Sequence, residues 1–267
     1  MLNINHKIRR IYYSFYNKFH YGDQLFNLKF FYNISPYLLS NNIMIDYYYD
    51  MNYNRNKNEL DKYVNPDTLT LYPIENKPDN SYELWMGANI NDVSYCSFDV
   101  YFDLFYKNIL SILKIKDSSI STRLFQPEPY LETIYNNLSE PYKNIDILVI
   151  NCEPQSGQFA YSKNEFDNMC IRLSKNYKIV TTDPVLDTIT CTRRENLTMQ
   201  DIGAISTKSK YVIAIHSGPL TTCFNESAEK YVKKWIMFQI NINFNSHPNI
   251  IVLRNSDELH CIEKYLS

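Results

Sequence analysis

The stretch that decides the fold is YVIAIHSGPLTTCF, at residues 211–224. Its apolar and partly β-branched beginning predicts a buried strand, and the Ser-Gly-Pro turn leads into a segment typical of a helix start. Glycine lets a ligand approach the backbone, and amides at a helix start attract anions, so this turn is a candidate diphosphate site. An ordinary strand-to-helix turn, whose hydroxyl groups only cap the helix, explains the same residues.

The alternation of strands and helices continues on both sides of this turn. Apolar runs and spacings of three and four predict strands at residues 146–151, 177–182, 188–191 and 249–253, and helices at 163–175, 197–206, 225–238 and from 257 onward. Such alternation is typical of a parallel sheet whose strands are joined by crossover helices. Gly203 lies inside one of these helices, where we expect it to allow close packing against a neighbour.

The segment EPQSGQ, at residues 153–158, directly follows the first strand of this half. In a parallel sheet it opens at the same edge as the HSGP turn, because the carboxyl ends of the strands lie together. Ser156, Gly157 and Gln158 are therefore candidates to bind a phosphate or a sugar hydroxyl. A polar loop that binds nothing is the alternative. The dinucleotide fingerprint GxGxxG is absent from the sequence.

Predicted strands and helices also alternate in the first half of the chain. Strands are predicted at residues 7–16, where the charges also allow a helical start, and at 43–49, 68–74 and 82–90. Helices are predicted at 24–40, with an interruption near Pro36, and at 98–113. Residues 114–144 are richer in Ser, Pro and Glu and are a candidate linker with a short helix at 130–138. We therefore expect two Rossmann-like domains, at residues 1–140 and 141–267.

Near the start of the chain, HYGDQL at residues 20–25 places Asp23 in the first turn of a predicted helix. A carboxylate there stabilises the positive end of the helix dipole and can cap free amide groups. It can also act as a general base that takes the proton from an attacking hydroxyl. His20, three residues earlier, is the competing base.

Composition argues against several classes of protein. A hydrophobic fraction of 45% with 21% charged residues is typical of a folded globular chain. The formal net charge is -2, and no dense block of Lys and Arg offers a surface to nucleic acid. No apolar run suits a transmembrane segment or a signal peptide, so we expect a cytoplasmic protein. The six cysteines are widely spaced and are expected to be reduced, buried thiols.

Several sequence motifs of known enzyme classes are absent from the chain. Asp-x-Asp, HExxH, GxSxG and GxxxxGK[ST] do not occur, which disfavours a metal-bound diphosphate. The chain has 24 tyrosines but only 5 glycines, a bias that the codon usage of an AT-rich genome produces, such as that of a large DNA virus. The few glycines that remain are expected at positions whose backbone conformation other residues resist.

Three segments resemble the GT-B class of glycosyltransferases, and within it the heptosyltransferase-like enzymes: HYGDQLFNLKFF at 20–31, DILVINCEPQSGQ at 146–158 and LTMQDIGAISTKSKYVIAIHSGP at 197–219. The resemblance implies an α/β fold in which two Rossmann-like domains with mostly parallel sheets face a central cleft. It implies metal-independent transfer of a sugar, with inversion, from a nucleotide-sugar donor to a hydroxyl of a glycan, lipid or protein. The donor is a co-substrate, and no cofactor is implied.

The same resemblance assigns roles to single residues. Asp23 would be the catalytic base, and the turn Ser217, Gly218 and Pro219 would line the donor diphosphate, with Ser156, Gly157 and Gln158 opposite. The sequence departs from the family where His216 and Ser217 replace the usual acidic residue, and EPQSGQ has no basic residue to neutralise the diphosphate. Arg193 and Arg194 can neutralise the diphosphate instead, or the dipole of a helix is sufficient. These departures argue against a heptose nucleotide as the donor.

Two alternatives from other classes stay open. A nucleotide- or glycan-binding module that has kept the fold and lost turnover fits the same motifs. So does a nucleotide-sugar epimerase or hydrolase on the same architecture, because fold alone does not determine the reaction.

Overall fold

The first compact unit of the chain is built on a small parallel sheet. The computed structural model describes residues 10–50, 57–84, 97–154, 159–239, 243–244 and 247–266. The first unit comprises Met1–Asn91 and Phe105–Ile120. The elements in chain order are β1 (Ile11–Asn17), α1 (Tyr21–Asn33), α2 (Ser35–Ser40), β2 (Ile43–Tyr49), α3 (Lys57–Asp61), β3 (Leu69–Pro73), β4 (Tyr82–Glu83) and α4 (Phe98–Ile112), of which α4 contributes residues to both units.

Aromatic packing joins this sheet to its first helix. The strand order is β3-β2-β1-β4, and the pairings are parallel. The ring of Phe31 in α1 lies 5.3 Å from the ring of Phe15 and 6.2 Å from that of Tyr47. The predicted interruption near Pro36 is confirmed, since α1 ends at Asn33 and the proline lies in the first turn of α2. Most of the strand predicted at 82–90 lies outside the described residues.

The second unit comprises Asp92–Leu104 and Ser121–Ser267. Its further elements are α5 (Tyr130–Asn137), β5 (Ile147–Ile150), α6 (Lys163–Leu173), β6 (Ile179–Thr181), β7 (Thr190–Cys191), α7 (Met199–Ser206), β8 (Tyr211–Ile215), α8 (Gly218–Cys223), α9 (Glu226–Tyr231), β9 (Lys234–Phe238), β10 (Ile250–Leu253) and a closing 3₁₀ helix (Ser256–Tyr265). The strand order is β10-β9-β8-β5-β6-β7, with parallel pairings. Counted from β5 this is the order 3-2-1-4-5-6 of a doubly wound nucleotide-binding sheet, which confirms the predicted α/β class.

The helix predicted at residues 225–238 is wrong in its second half. The chain forms α9 and then β9, whose Trp235 pairs with Val212 of β8. A short apolar run such as KWIMF fits a buried strand as well as the buried face of a helix. The segment forms a strand because it pairs with β8 on one side and with β10 on the other. The closing helix is confirmed in position, but it is of the 3₁₀ type and is kinked at Cys261.

The proline-rich segment between the two predicted domains is partly built into the second unit. Residues 121–140 belong to that unit, whereas the boundary predicted at residue 140 assigns them to the first domain. Gln126 bridges to Asn225, and the ring of Phe125 lies 5.4 Å from that of Phe224 and 5.5 Å from that of Trp235. These contacts bury apolar surface that a free linker would expose to water.

Gly203 brings α7 into close contact with α8. A Cβ atom added at Gly203 would lie 2.8 Å from the backbone oxygen of Thr222, closer than carbon and oxygen can approach without a shift of one helix. The expectation that this glycine allows close packing is therefore confirmed. Within the described ranges, no helix combines the length and the apolar composition needed to cross a lipid bilayer.

Candidate functional site

The carboxyl ends of β5 and β8 lie side by side at the centre of the second sheet. From β5 the sheet continues through β6 to β7 on one side and through β8 and β9 to β10 on the other. In open α/β sheets, ligands bind beyond the carboxyl ends of the strands at this switch point. Asn151 and Cys152 follow β5, and His216 and Ser217 follow β8. The HSGP turn therefore lies where such a fold binds its ligand.

Asn151 fixes the loop that leaves β5. Its buried side chain accepts hydrogen bonds from the Asp183 amide at 2.8 Å and from the Thr182 hydroxyl at 3.1 Å. Its Nδ2 donates to the Asp183 carbonyl at 3.1 Å. Its own carbonyl accepts a bond from the hydroxyl of Tyr161 at 2.9 Å. These bonds hold the ends of β5 and β6 together, so Asn151 is a structural part of this edge.

Cys152 and Ser217 join the two loops at the switch point. Ser217 precedes α8, yet its side chain makes no capping bond to that helix. Its Oγ donates to the carbonyl of Ile215 at 3.1 Å and lies 3.1 Å from the Sγ of Cys152. Because the serine proton is used in that bond, the thiol donates to Ser217. Burial raises the pKa of the Cys152 thiol, and the bond to Ser217 lowers it in part, so the thiol is protonated at neutral pH.

The other half of the predicted donor site is outside the described residues. Ser156, Gly157 and Gln158 cannot be placed, and they stay predictions. The described beginning of their loop, at residues 151–154, leaves the same edge of the sheet as the HSGP turn.

The two candidate arginines have different surroundings. Both lie in the short 3₁₀ turn Arg193–Glu195 after β7. The guanidinium of Arg193 binds both carboxylate oxygens of Asp183, at 3.0 and 3.1 Å, and its charge is among the influences that lower the pKa of Cys152 against the effect of burial. Arg194 instead pairs with Asp187 at 3.0 Å and donates to the carbonyl of Leu186. Of the two cations, Arg193 is therefore the one whose charge acts on the switch point.

The side chain of His216 carries no charge at this edge. Burial lowers the pKa of its imidazole to about 4, so the ring is neutral near pH 7. The ring packs edge-on against Phe98, with 5.4 Å between the ring centroids. A neutral imidazole cannot neutralise a diphosphate. If the HSGP turn binds a donor, compensation of the phosphate charge has to come from elsewhere, for which Arg193 is the candidate.

The first sheet has a corresponding switch point between β1 and β4. Asn17 ends β1, and its side chain donates to the carbonyl of Leu84 at 2.9 Å and accepts a bond from the Phe19 amide at 2.8 Å. His20 then precedes α1, and the Asp23 amide donates to the His20 carbonyl at 3.0 Å. Asp23 and His20 therefore both lie at the carboxyl edge of the first sheet.

One helical turn after Asp23, Asn27 binds β2 and the residue that follows β4. Its Nδ2 donates to the hydroxyl of Tyr47 and to the carbonyl of Leu84, both at 3.0 Å. Burial raises the pKa of Tyr47, and the nearby Asp23 carboxylate raises it further. The Asp23 carboxylate thus lies within electrostatic reach of a buried tyrosine hydroxyl.

Burial changes the acidity of Asp23 itself. Desolvation raises the pKa of the Asp23 carboxyl to about 6, although the neighbouring His20 and backbone hydrogen bonds to the carboxylate act in the opposite direction. A carboxyl group with a pKa near the working pH can both release and accept a proton. A raised pKa is compatible with the predicted role of Asp23 as a general base, and that role stays a prediction.

Replacement of Asp23 by Asn is expected to stabilise the fold at neutral pH. The folded-state pKa of about 6 lies above the ordinary value of 3.8 for an aspartate, so the native state binds more protons than the unfolded state between these values. Stability is therefore lost as the pH rises through this window. A shift of about two units corresponds to at most about 3 kcal/mol, so we expect Asp23→Asn to gain about 1 to 3 kcal/mol at pH 7 and little at pH 4.

Urea unfolding at several pH values measures this difference. Asp146 is the matched control with the opposite sign: burial opposes, but bonds from Lys210 and from the Lys178 amide prevail and lower its pKa. Asp146→Asn should therefore be less stable than the wild type at pH 7, and this deficit should shrink as the pH falls below about 4. A gain for Asp23→Asn that is the same at pH 4 and pH 7 would contradict the assignment of a raised pKa.

Several residues of the two edges were not predicted from the sequence. Cys152 and Asp183 become neighbours of the candidate residues only through the pairing of the strands, whereas Asn27 lies one helical turn after Asp23. The signal that could have identified Cys152 and Asp183 is their position, since each directly follows the end of a predicted strand. Among the described residues, no group of three or more His, Cys, Asp or Glu is arranged to hold a metal ion.

Comparison with known proteins places the fold. No family model and no curated protein sequence matches the chain. Among solved structures, the glycosyl transferase family 9 protein from Veillonella parvula DSM 2008 superposes with a TM-score of 0.50 at 13% identity, covering 95% of this chain and 88% of that chain. E. coli heptosyltransferase WaaC with ADP-2-deoxy-2-fluoro heptose gives 0.55 at 8% identity, covering 94% and 96%. WaaC with ADP gives 0.53 at 8% identity, covering 95% and 97%.

At this level of identity the likeness concerns the fold. The chain has two mostly parallel α/β sheets, as the GT-B glycosyltransferases among these structures do. Two observations, the strand order and the structural match, therefore confirm the predicted fold class.

Proposed function

We propose that this protein is a glycosyltransferase that takes a sugar from a nucleotide-sugar donor and transfers it to an acceptor hydroxyl. The observation that carries the proposal is the junction of Cys152 and Ser217 at the switch point of a doubly wound sheet. A sheet of this order binds nucleotides at that point. The structural neighbours with this fold include a heptosyltransferase with ADP and with an ADP-sugar analogue.

In this proposal the turn Ser217, Gly218 and Pro219 holds the donor diphosphate. Arg193 supplies positive charge, and His216 a neutral hydrogen-bonding group. The loop with Ser156, Gly157 and Gln158 is proposed to close the other side of the diphosphate. The lack of Asp-x-Asp in the sequence supports a transfer that needs no metal ion. A cytoplasmic location remains part of the proposal.

The reaction proposed is a single displacement. The oxygen of the acceptor hydroxyl forms a bond to the anomeric carbon, while the bond from that carbon to the diphosphate oxygen breaks and the nucleoside diphosphate leaves with the electron pair. Asp23 takes the proton of the hydroxyl, with His20 as the alternative base. Displacement from the opposite side inverts the configuration of the sugar.

Ligand binding to the full chain tests the donor site. We expect one nucleoside diphosphate, or its sugar conjugate, to raise the free energy of unfolding by about 2.7 kcal/mol at a concentration 100 times its Kd. Arg193→Ala should weaken binding about 10-fold, since a charge-assisted contact to phosphate is lost. Arg194→Ala is the matched control, because it removes the neighbouring cation, which pairs with Asp187 and is not among the charges that act on Cys152. If no nucleotide changes the unfolding midpoint, the proposed assignment of a donor site is wrong.

A further inference from the structure

Two neutral side chains at the carboxyl edge of the second sheet contain buried polar atoms without a hydrogen-bond partner. Gln239, the residue after β9, is 4% exposed, and its Oε1 accepts no bond in the described part of the chain. The Nδ1 atom of His216, the residue after β8, is likewise buried and has no partner there. Buried polar groups in folded proteins are nearly always satisfied, so this pair calls for an explanation.

The two residues occupy matching positions on neighbouring strands. Ile215 and Phe238 are the last paired residues of β8 and β9, and His216 continues the ladder with a bond from its amide to the Phe238 carbonyl at 3.4 Å. The amide of Gln239 donates to the carbonyl of Leu253 at 3.0 Å. In parallel strands, residues at the same level project from the same face of the sheet. Ile215 and Phe238 belong to the core on the opposite face.

A second buried glutamine shows what a structural role requires. Gln126 is 1% exposed, and its Nε2 donates to the carbonyls of Arg123 and Ser121. Its amide therefore replaces the hydrogen bonds that it would make to water. The Oε1 of Gln239 makes no such bond in the described residues. Its burial therefore destabilises the fold, and no hydrogen bond offsets this cost.

The chemistry of the pair defines what it can bind. Oε1 of an amide accepts a hydrogen bond, and a neutral imidazole offers one donor and one acceptor. Phosphate oxygens accept hydrogen bonds and would be repelled by Oε1, which is also an acceptor. A hydroxyl, an amino group or an amide edge can donate to Gln239 and bond to His216 at the same time. Burial keeps the pKa of His216 low, which agrees with a neutral ligand group.

We propose that His216 and Gln239 together bind a neutral hydrogen-bonding group of the donor, which is either the edge of the nucleobase or a hydroxyl of the sugar. The inference rests on the proposed function and adds a specificity-determining pair to the same edge of the sheet. The diphosphate then belongs to the neighbouring Ser217 and Gly218.

Calorimetric titration of the full chain with ADP, GDP, UDP and CDP identifies the preferred base, and the sugar conjugates of that base follow. We expect Gln239→Met, which keeps the shape and removes the acceptor, to weaken binding at least 10-fold. The unfolding midpoint of this variant without ligand should stay equal or rise, because an unsatisfied acceptor is gone. Gln126→Met is the matched control and should show the reverse, a lower midpoint with unchanged affinity.

Variants of His216 give an independent reading. An Asn side chain places a polar atom near the position of Nδ1, so His216→Asn should keep most of the affinity, and His216→Leu should lose it. A loss seen already with the nucleoside diphosphate assigns the pair to the nucleobase. A loss seen only with the sugar conjugate assigns it to the sugar.

Three results would overturn the inference in distinguishable ways. If the wild-type protein binds no nucleotide and no nucleotide sugar, the proposed donor site fails and the inference with it. If the wild type binds but Gln239→Met and His216→Leu bind equally well, the donor site stands and the inference alone is wrong. If Gln239→Met lowers the midpoint as Gln126→Met does, Gln239 has a structural role instead.

Discussion

Replacement of Asp23 by Asn is expected to lower kcat for sugar transfer by a factor of about 10² to 10⁴, the usual contribution of a general base. The amide of Asn has nearly the shape of the carboxyl group but cannot take a proton. Nucleotide affinity should not change, because the proposed donor residues belong to the second unit and Asp23 to the first. Single-turnover transfer assays combined with nucleotide titration separate the two quantities.

The pH dependence of the wild-type enzyme gives a second measure of the same group. A general base acts in its deprotonated form, and burial raises the pKa of Asp23 to about 6. We therefore expect kcat/KM to rise with pH and to level off above an apparent pKa near 6. The residual activity of Asp23→Asn should lack this rise.

His20→Gln distinguishes between the two candidate bases. If Asp23 is the base, His20→Gln should reduce kcat much less than Asp23→Asn does. A larger loss in His20→Gln would transfer the role to the histidine. Unchanged turnover in Asp23→Asn would contradict the base assignment altogether.

The same assays separate the proposed transferase from its rivals. A binding module without turnover would bind the nucleotide and transfer nothing in the wild type. An epimerase would interconvert the nucleotide sugar when no acceptor is present, and a hydrolase would release free sugar. Transfer that depends on an acceptor excludes all three.

Local pattern was sufficient to predict most elements of the chain. β2 and β8 were predicted at Ile43–Tyr49 and Tyr211–Ile215, the bounds that the structure has. β8 is a continuous apolar run, and β2 is one that only Asp46 interrupts; such runs are typical of parallel strands because both faces of the sheet are covered. β9 was missed because KWIMF carries no period that separates a strand from a helix. Its identity depends on partners that are distant in sequence.

The candidate sites show the same division between local and distant information. The HSGP turn and Asp23 could be named because each lies at a recognisable junction of strand and helix. The bond between Cys152 and Ser217 could not, since 65 residues separate them and their contact follows from the sheet order. The sequence predicts where strands end, but pairing decides which ends are neighbours. Gln239 was hidden for the further reason that its strand had been predicted as helix.

Gly203→Val is expected to reduce the free energy of unfolding by about 2 to 3 kcal/mol, the cost of overpacking a tight helix contact. The added Cβ would lie 2.8 Å from the Thr222 backbone oxygen and 3.3 Å from its Cβ. The gain in helix propensity over glycine is only a few tenths of a kcal/mol for valine and cannot offset this loss. The unfolding midpoint should fall by about 5 to 10 °C.

A backbone oxygen is the nearest obstacle at Gly203, and this makes the prediction specific. Thr222→Ala removes the side chain but leaves that oxygen, so the double variant should not recover the stability of the wild type. Gln200→Val introduces the same residue at a partly exposed position of α7 and should change stability by about 0.5 kcal/mol or less. Because Gly203→Val must displace α8, which begins directly after Ser217, nucleotide affinity should fall together with stability. Wild-type stability in Gly203→Val would mean that α8 yields without cost, and the close approach of these helices would then not explain the glycine.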